Sequence, residues 1–286
     1  NGTPQEAAFA AWLAGRLATV PAFAGRDHGP QVWTIPIPDD PLGRASVAAL
    51  VRGGGAATVV LTGHYDTVRV DDYGDLTPLA TRPHELKTAL LARLERKAET
   101  DAERLARSDL ASRAFLPGRG LLDMKAGLAA GLAAAEAFEG DATGSVPEGN
   151  LLFLAVPDEE ASSAGARGAA AALRGIAERH GLVLEAAINL DALVDEGDGS
   201  LGRRVALGTV GKLLPSAFVV GRSVHAAEPY RGLNAGVLAA AIAGAMEWSQ
   251  ALSERTDGEQ GAPPTLLGLK DGRAAYDVTT PERVWA

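Results

Sequence analysis

In GHYDTV, residues 63–68, a histidine and an aspartate two residues apart stand where an apolar segment ends. The preceding ATVVL, residues 57–61, is short, partly β-branched and follows glycines at 53–55, so it reads as a buried strand. Loops at the carboxyl ends of parallel strands are held by the sheet yet open to solvent, which makes His64 and Asp66 candidate site residues. Alone, such a pair is more often a turn around a satisfied histidine. The pattern recurs, however. NLLFLAVPDEE, residues 150–160, reads as a strand ending in Asp158, Glu159 and Glu160, and EAAINLDA, residues 185–192, as one ending in Asp191. Asp123 stands in the glycine-rich PGRGLLDMKAG, residues 117–127, ahead of an Ala-rich helix. Acids gathered at one sheet edge repel unless positive charge lies between them. A pair of divalent metal ions supplies that charge, and carboxylate is the ligand type that bridges two ions.

Each residue has a specific role in such a site and a plainer alternative. His64 is either a metal ligand or a buried histidine bonded to a carbonyl. Asp66 has the spacing to accept the second ring N–H of His64, the common support of a ligating imidazole, or to cap a turn. Asp123 either bridges two metals or caps the helix that follows it. Glu159 and Glu160 would face opposite ways in a regular strand but not at a strand-to-loop junction. One can then ligate while Glu159 acts as general base, taking a proton from water as the water attacks an amide carbonyl. A nitrogen and oxygen donor set suits zinc, and also cobalt or manganese. Met124 reads as packing and Lys125 as a partner for a nearby acid. Ser223 with His225 does not make a serine hydrolase, because GRSVH lacks the G-x-S-x-G elbow. The glycine clusters form no G-x-G-x-x-G after the apolar strand, which argues against dinucleotide binding.

The elements that must position these residues alternate. Apolar residues at helical spacing predict a helix over residues 4–19, QVWTIPI at 31–37 a peripheral strand because Pro36 lacks a donor, and residues 42–51 a short helix. A strand over 57–62 follows. Residues 70–115 read as a charged, helical, solvated insertion, with its helical part at 83–111. Further helices are expected at 124–139 and 164–180, antiparallel strands or a hairpin within 205–221, and a long helix within 232–254. This is an α/β fold with a mixed or mostly parallel sheet between helices. A first domain over 1–207 would carry the site, and a smaller α+β domain would occupy 208–286.

Composition narrows the class. With 286 residues, 47% hydrophobic and 22% charged, the chain can bury a substantial core and has the balance of a globular protein. A net charge of -9 and a pI near 5.1 argue against nucleic acid or an anionic membrane as partner. The absence of cysteine excludes disulfides, thiolate metal sites and cysteine nucleophiles. No apolar run approaches the length of a membrane span, and a cytoplasmic enzyme is the expectation.

Taken together and in order, GHYDTV, PGRGLLDMKAG, PDEEASSAGARG and INLD resemble the motifs of the M20 zinc metallopeptidase family, and more narrowly its arginine-utilisation branch. The resemblance spans roughly residues 60–240 and implies a hydrolase-type catalytic domain with a lid or dimerisation domain. It implies that His64 and Asp191 serve one zinc, Glu160 and a later histidine the other, with Asp123 between them, Asp66 orienting His64 and Glu159 as base. GRSVHAAEPYRGLNA, residues 221–235, resembles the lid segment whose histidine reaches substrate in the neighbouring subunit of a homodimer; that role falls on His225. Asn234 would support the same loop, or cap a helix, and Arg231 would read a substrate carboxylate. The implied substrate is a small peptide or N-acyl amino acid; the alternative is a non-catalytic binding protein on the same scaffold. Two departures stand out. Ser162 and Ser163 occupy positions where glycines often follow, and no histidine occurs after His225, where the pattern has its last ligand. The expectation is a chain that is part of a longer protein.

Overall fold

The computed structural model describes residues 2–24, 31–96, 98–139, 146–193, 205–208, 213–256, 258–275 and 277–286. They fall into two compact units, Asn1–Asp198 and Gly199–Ala286.

The first unit is built on a five-stranded sheet of β1 (Val32–Pro36), β2 (Ala45–Val51), β3 (Ala57–His64), β4 (Asn150–Val156) and β5 (Val183–Asn189), in the order β1-β2-β4-β3-β5. The sheet is mixed: β3 runs parallel to β4 and β5, while β2 runs antiparallel to β1 and β4. Successive residues of β2 divide between its faces. Val47, Ala49 and Val51 pack with Ala10 and Leu17 of α1 (Pro4–Leu17) and Leu128 of α4 (Ala126–Glu139), forming one core cluster. Ala48 and Leu50 join Leu152, Leu154, and Ala169 and Ile176 of α5 (Ala164–His180) in the other. Helices thus cover both faces, as a sheet with two apolar faces requires.

Residues 45–51 correct the helix expected over 42–51. ASVAALV has the Ala and Leu content of a helix, but its residues from Ser46 to Val51 are buried between two partner strands. There the ladder satisfies both sides of the backbone, and tertiary pairing overrides intrinsic propensity. Pro36 lies on β1, which pairs only with β2 in this sheet, so its missing donor falls at an edge.

The register brings the chemistry to one end. His64 pairs with Val156, Thr62 pairs with Asn189, and the N–H groups of Tyr65 and Leu190 continue the ladders to Val156 and Thr62 at 3.0 and 2.8 Å. The ends of β3, β4 and β5 therefore align, and antiparallel β2 starts at the same edge, immediately after Arg44. Two glycines let the layers close. A Cβ on Gly63 would lie 2.1 Å from Met124 Cε, and one on Gly127 would lie 2.0 Å from the Leu190 carbonyl oxygen.

Between β3 and β4 the chain forms a 3-10 segment, Asp71–Leu79, then α2 (Pro83–Arg96) and α3 (Asp101–Ala111). The helical stretch expected over 83–111 is thus two helices, the second started by Thr100, whose hydroxyl accepts from the Glu103 N–H. Helix α4 begins at Ala126 rather than residue 124, because Leu121–Lys125 forms a wider turn with non-helical geometry at Asp123 and Met124.

In the second unit β6 (Phe218–Val220) pairs antiparallel with β10 (Arg283–Trp285), which pairs with β9 (Lys270–Asp271). Two short strands, β7 (Arg255–Thr256) and β8 (Glu259–Gln260), pair separately. Part of the hairpin expected within 205–221 lies outside the described residues, and β6 finds its partner at the end of the chain. Helix α6 (Ala235–Met246) packs through Ala235 and Ala239 near Val284 and stops eight residues short of the expected end at 254. Asn234 caps it, accepting from the N–H groups of Gly236 and Val237 at 2.9 and 3.4 Å. Among the described residues no helix is long and apolar enough to cross a membrane.

Candidate metal centre

His64 is the last residue of β3, and its ring is fixed on both nitrogens. Nδ1 lies 3.2 Å from the Asp66 carbonyl oxygen and 3.4 Å from Asp66 Oδ1. Nε2 points the other way, 3.0 Å from Asp123 Oδ1, 3.8 Å from Asp191 Oδ2 and 4.0 Å from Glu159 Oε2. One nitrogen of His64 and one carboxylate oxygen each of Asp123 and Glu160 all lie within 4.8 Å of one another, close enough for a single ion to be held among them. His64 is 2% exposed, whereas the Asp123, Glu159 and Asp191 side chains are 58, 41 and 33% exposed. A buried imidazole thus forms the floor, and the acids open to solvent above it.

Asp66 is the organising acid. Its side chain is buried, and besides facing His64 its two oxygens accept from the N–H groups of Glu159 and Glu160 at 3.0 and 3.1 Å. One carboxylate thereby joins the end of β3 to the loop after β4.

Electrostatics set the His64 ring apart from the acids around it. Burial opposes a charge on His64, but its hydrogen bond to Asp66 and the charges of Asp66, Asp191 and Glu159 prevail and raise it to about 9. Burial also works against the Asp66 carboxylate, yet the His64 bond and the two backbone donors hold it below its ordinary range. Glu160 is pushed up, first by burial and then by the Asp123 charge, with Glu159 and Asp66 adding to the effect. A carboxyl pushed up by burial and by neighbouring acids, beside an imidazole whose proton is held by carboxylates, marks a site short of positive charge.

The donor set fits a borderline divalent cation: one imidazole nitrogen turned outward by its second-nitrogen partner, with carboxylates from three separate loops. Met124 is no competitor, because its buried sulfur accepts from the His64 backbone N–H at 2.8 Å. Burial lowers Lys125, whose Nζ lies 6.0 Å from the Phe9 ring centre. Arg119 donates to Asp72 and stacks 5.2 Å over the Tyr73 ring, tying the segment before α2 to the turn that carries Asp123.

Residues 221–235 lie in the second unit. His225 is exposed, and its Nδ1 accepts from the Ala227 N–H at 3.1 Å. This places the proton of the neutral ring on Nε2, which is thereby a donor. Ser223 donates to the Thr280 carbonyl at 2.7 Å and Arg231 pairs with Glu228 at 3.0 Å. Asn234 serves as the α6 cap. Arg44 carries no signal in the sequence, since a helix over 42–51 leaves no reason to bury it. In the structure its side chain is 9% exposed and ion-paired with Asp40, Glu6 and Asp158.

A family model described as Peptidase family M20/M25/M40 matches residues 101–281, a span that contains Asp123, Glu159, Glu160, Asp191 and His225. The chain is 36% identical over 282 residues to the uncharacterized protein YqjN of Bacillus subtilis (strain 168), covering 98% of this chain and 49% of that protein. It is 31% identical over 282 residues to protein RocB of the same organism, covering 98% of this chain and 48% of RocB. The chain therefore spans about half the length of these curated relatives. Among solved structures, a tripeptidase from Staphylococcus aureus shares the fold at a TM-score of 0.50 and 18% identity, over 99% of this chain and 60% of that one.

Proposed function

We propose, from the premise that the chain belongs to peptidase family M20/M25/M40, that it carries the metal site of a hydrolase cleaving an amide bond in a small peptide or N-acyl amino acid. The observation that carries this reading is the meeting of His64, Asp123, Glu159, Glu160 and Asp191 at one sheet edge, around a shared shortage of positive charge. Two divalent ions, zinc first and manganese or cobalt also suited to the donors, would be held by His64, Asp123, Glu160 and Asp191. Bound there, such ions supply Lewis acidity toward the scissile carbonyl.

The chain's own groups do the rest. His64 presents Nε2 because Asp66 occupies the Nδ1 side. Glu159, held at its backbone by Asp66 but with its carboxylate in solvent, takes a proton from the attacking water and returns it to the leaving nitrogen. In a homodimer, His225 would donate from Nε2 to the developing oxyanion of substrate held by the second copy.

The test is a panel of small peptides and N-acyl amino acids assayed with zinc or manganese and again after chelation. Hydrolysis should require metal, and Glu159→Gln should reduce its rate by about 10²–10⁴-fold while leaving metal content unchanged. Metal-independent turnover, or a Glu159→Gln variant as active as the parent, would reject the assignment. A protein that retains metal and binds these compounds without cleaving them would instead be a binding protein on this scaffold.

A further inference from the structure

The loop after β4 begins with a residue in an unusual conformation. Asp158 is not glycine, yet its φ is +64°, and its side chain is only 4% exposed. Such a backbone persists only where its surroundings over-determine it. Here the carboxylate accepts from Arg44 Nη1, from the Ser162 hydroxyl and from the Ala164 N–H at 3.1 Å, while its own carbonyl accepts from the Ser163 N–H at 2.6 Å. The loop is closed into a ring around this one carboxylate.

We propose that Arg44 and Asp158 are positioning residues that fix the backbone from which Glu159 and Glu160 reach the metal centre, a role that rests on the hydrolase reading of those glutamates. The Glu159 side chain is 41% exposed and Glu160 is half-buried, and both leave a main chain whose course sets their aim. That main chain is clamped from two sides. Asp66, beyond the end of β3, takes the N–H groups of residues 159 and 160; Arg44, ahead of β2, takes the carboxylate of residue 158. Arg44 is in turn held by Asp40, with Nη2 2.8 Å from Oδ1, and lies 3.6 Å from Glu6. A buried ion cluster is a poor source of net stability compared with apolar packing of the same volume. Its position, one residue before the proposed base, is what gives it a use.

The experiment compares the full chain with Asp158→Asn, Arg44→Lys, Arg44→Met and, as a control touching Arg44 but not the loop, Glu6→Gln. Amide hydrogen exchange is read without metal, and zinc affinity by competition with a chelating dye. Exchange of the Glu159 and Glu160 amides should rise by roughly tenfold or more in Asp158→Asn and Arg44→Met, with β4 still protected. Zinc affinity should fall by about 10–100-fold in both, Arg44→Lys should recover part of each loss, and Glu6→Gln should match the parent. Asp158→Asn with β4 protected but parental loop exchange and zinc affinity would overturn the proposal. Equal loss of protection throughout β4 in all four variants would do so as well, since the cluster would then serve the fold at large. A parent chain that binds no zinc rejects the hydrolase reading alone, because the exchange pattern decides the positioning role independently.

Discussion

At the scale of residues the site is centred on His64, which prefers a proton when no metal is present. Its pKa is raised from 6.5 to about 9, so the folded chain gains stability from that proton below the unfolded value and loses it as pH rises through the folded one. A metal at Nε2 must displace the same proton. Apparent zinc affinity should therefore increase by nearly tenfold per pH unit between about pH 7 and pH 9 and then level off. Isothermal titration at several pH values in one buffer series checks this, and a flat profile would contradict the placing of Nε2 at the ion. His64, Glu159, Glu160 and Asp191 were legible because each stands where an apolar run ends, and Asp123 because it lies in a glycine-rich stretch ahead of a helix. Arg44 was not, because a single arginine before ASVAALV carries no chemical signature until the segment is known to be a buried strand. The role of Asp66 in holding two backbone N–H groups was hidden for a similar reason: its partners lie more than ninety positions away.

At the scale of elements, the site depends on α4 lying close against the chain leaving β5. Gly127 allows this, since any Cβ there would meet the Leu190 carbonyl oxygen, and Leu190 directly precedes Asp191. Gly127→Ala should destabilise the protein by about 1–3 kcal/mol in urea denaturation. It should also weaken metal binding, because relief of the clash displaces Asp191. A variant of parental stability and affinity would show that the approach is looser than described. The strands at 57–64, 150–156 and 183–189 were readable from apolar runs ending in polar residues. The strand at 45–51 was not, since Ala and Leu carry no strand preference and its ladder partners are set by the whole sheet. The break between α2 and α3 was written locally, in the capping box of Thr100 and Glu103, but was masked by the uniform charge around it.

At the scale of the molecule, the acidic balance and the site tell one story. A chain of net charge -9 concentrates several of its acids at one sheet edge, where only cations relieve their repulsion. The fold class was legible from alternating elements and the family from the order of four motifs, whereas the course of the second unit was not. Its β6 strand pairs with the last residues of the chain, a long-range contact with no local periodicity to announce it. Elemental analysis reads directly whether this edge holds the proposed pair of metal ions. The protein is purified without chelators, incubated with limiting zinc, desalted and measured beside Asp123→Asn. About two zinc ions per chain in the parent, with marked loss in the variant, is the expected result. No retained metal in the parent, or equal retention by the folded variant, would contradict a metal pair bridged by Asp123.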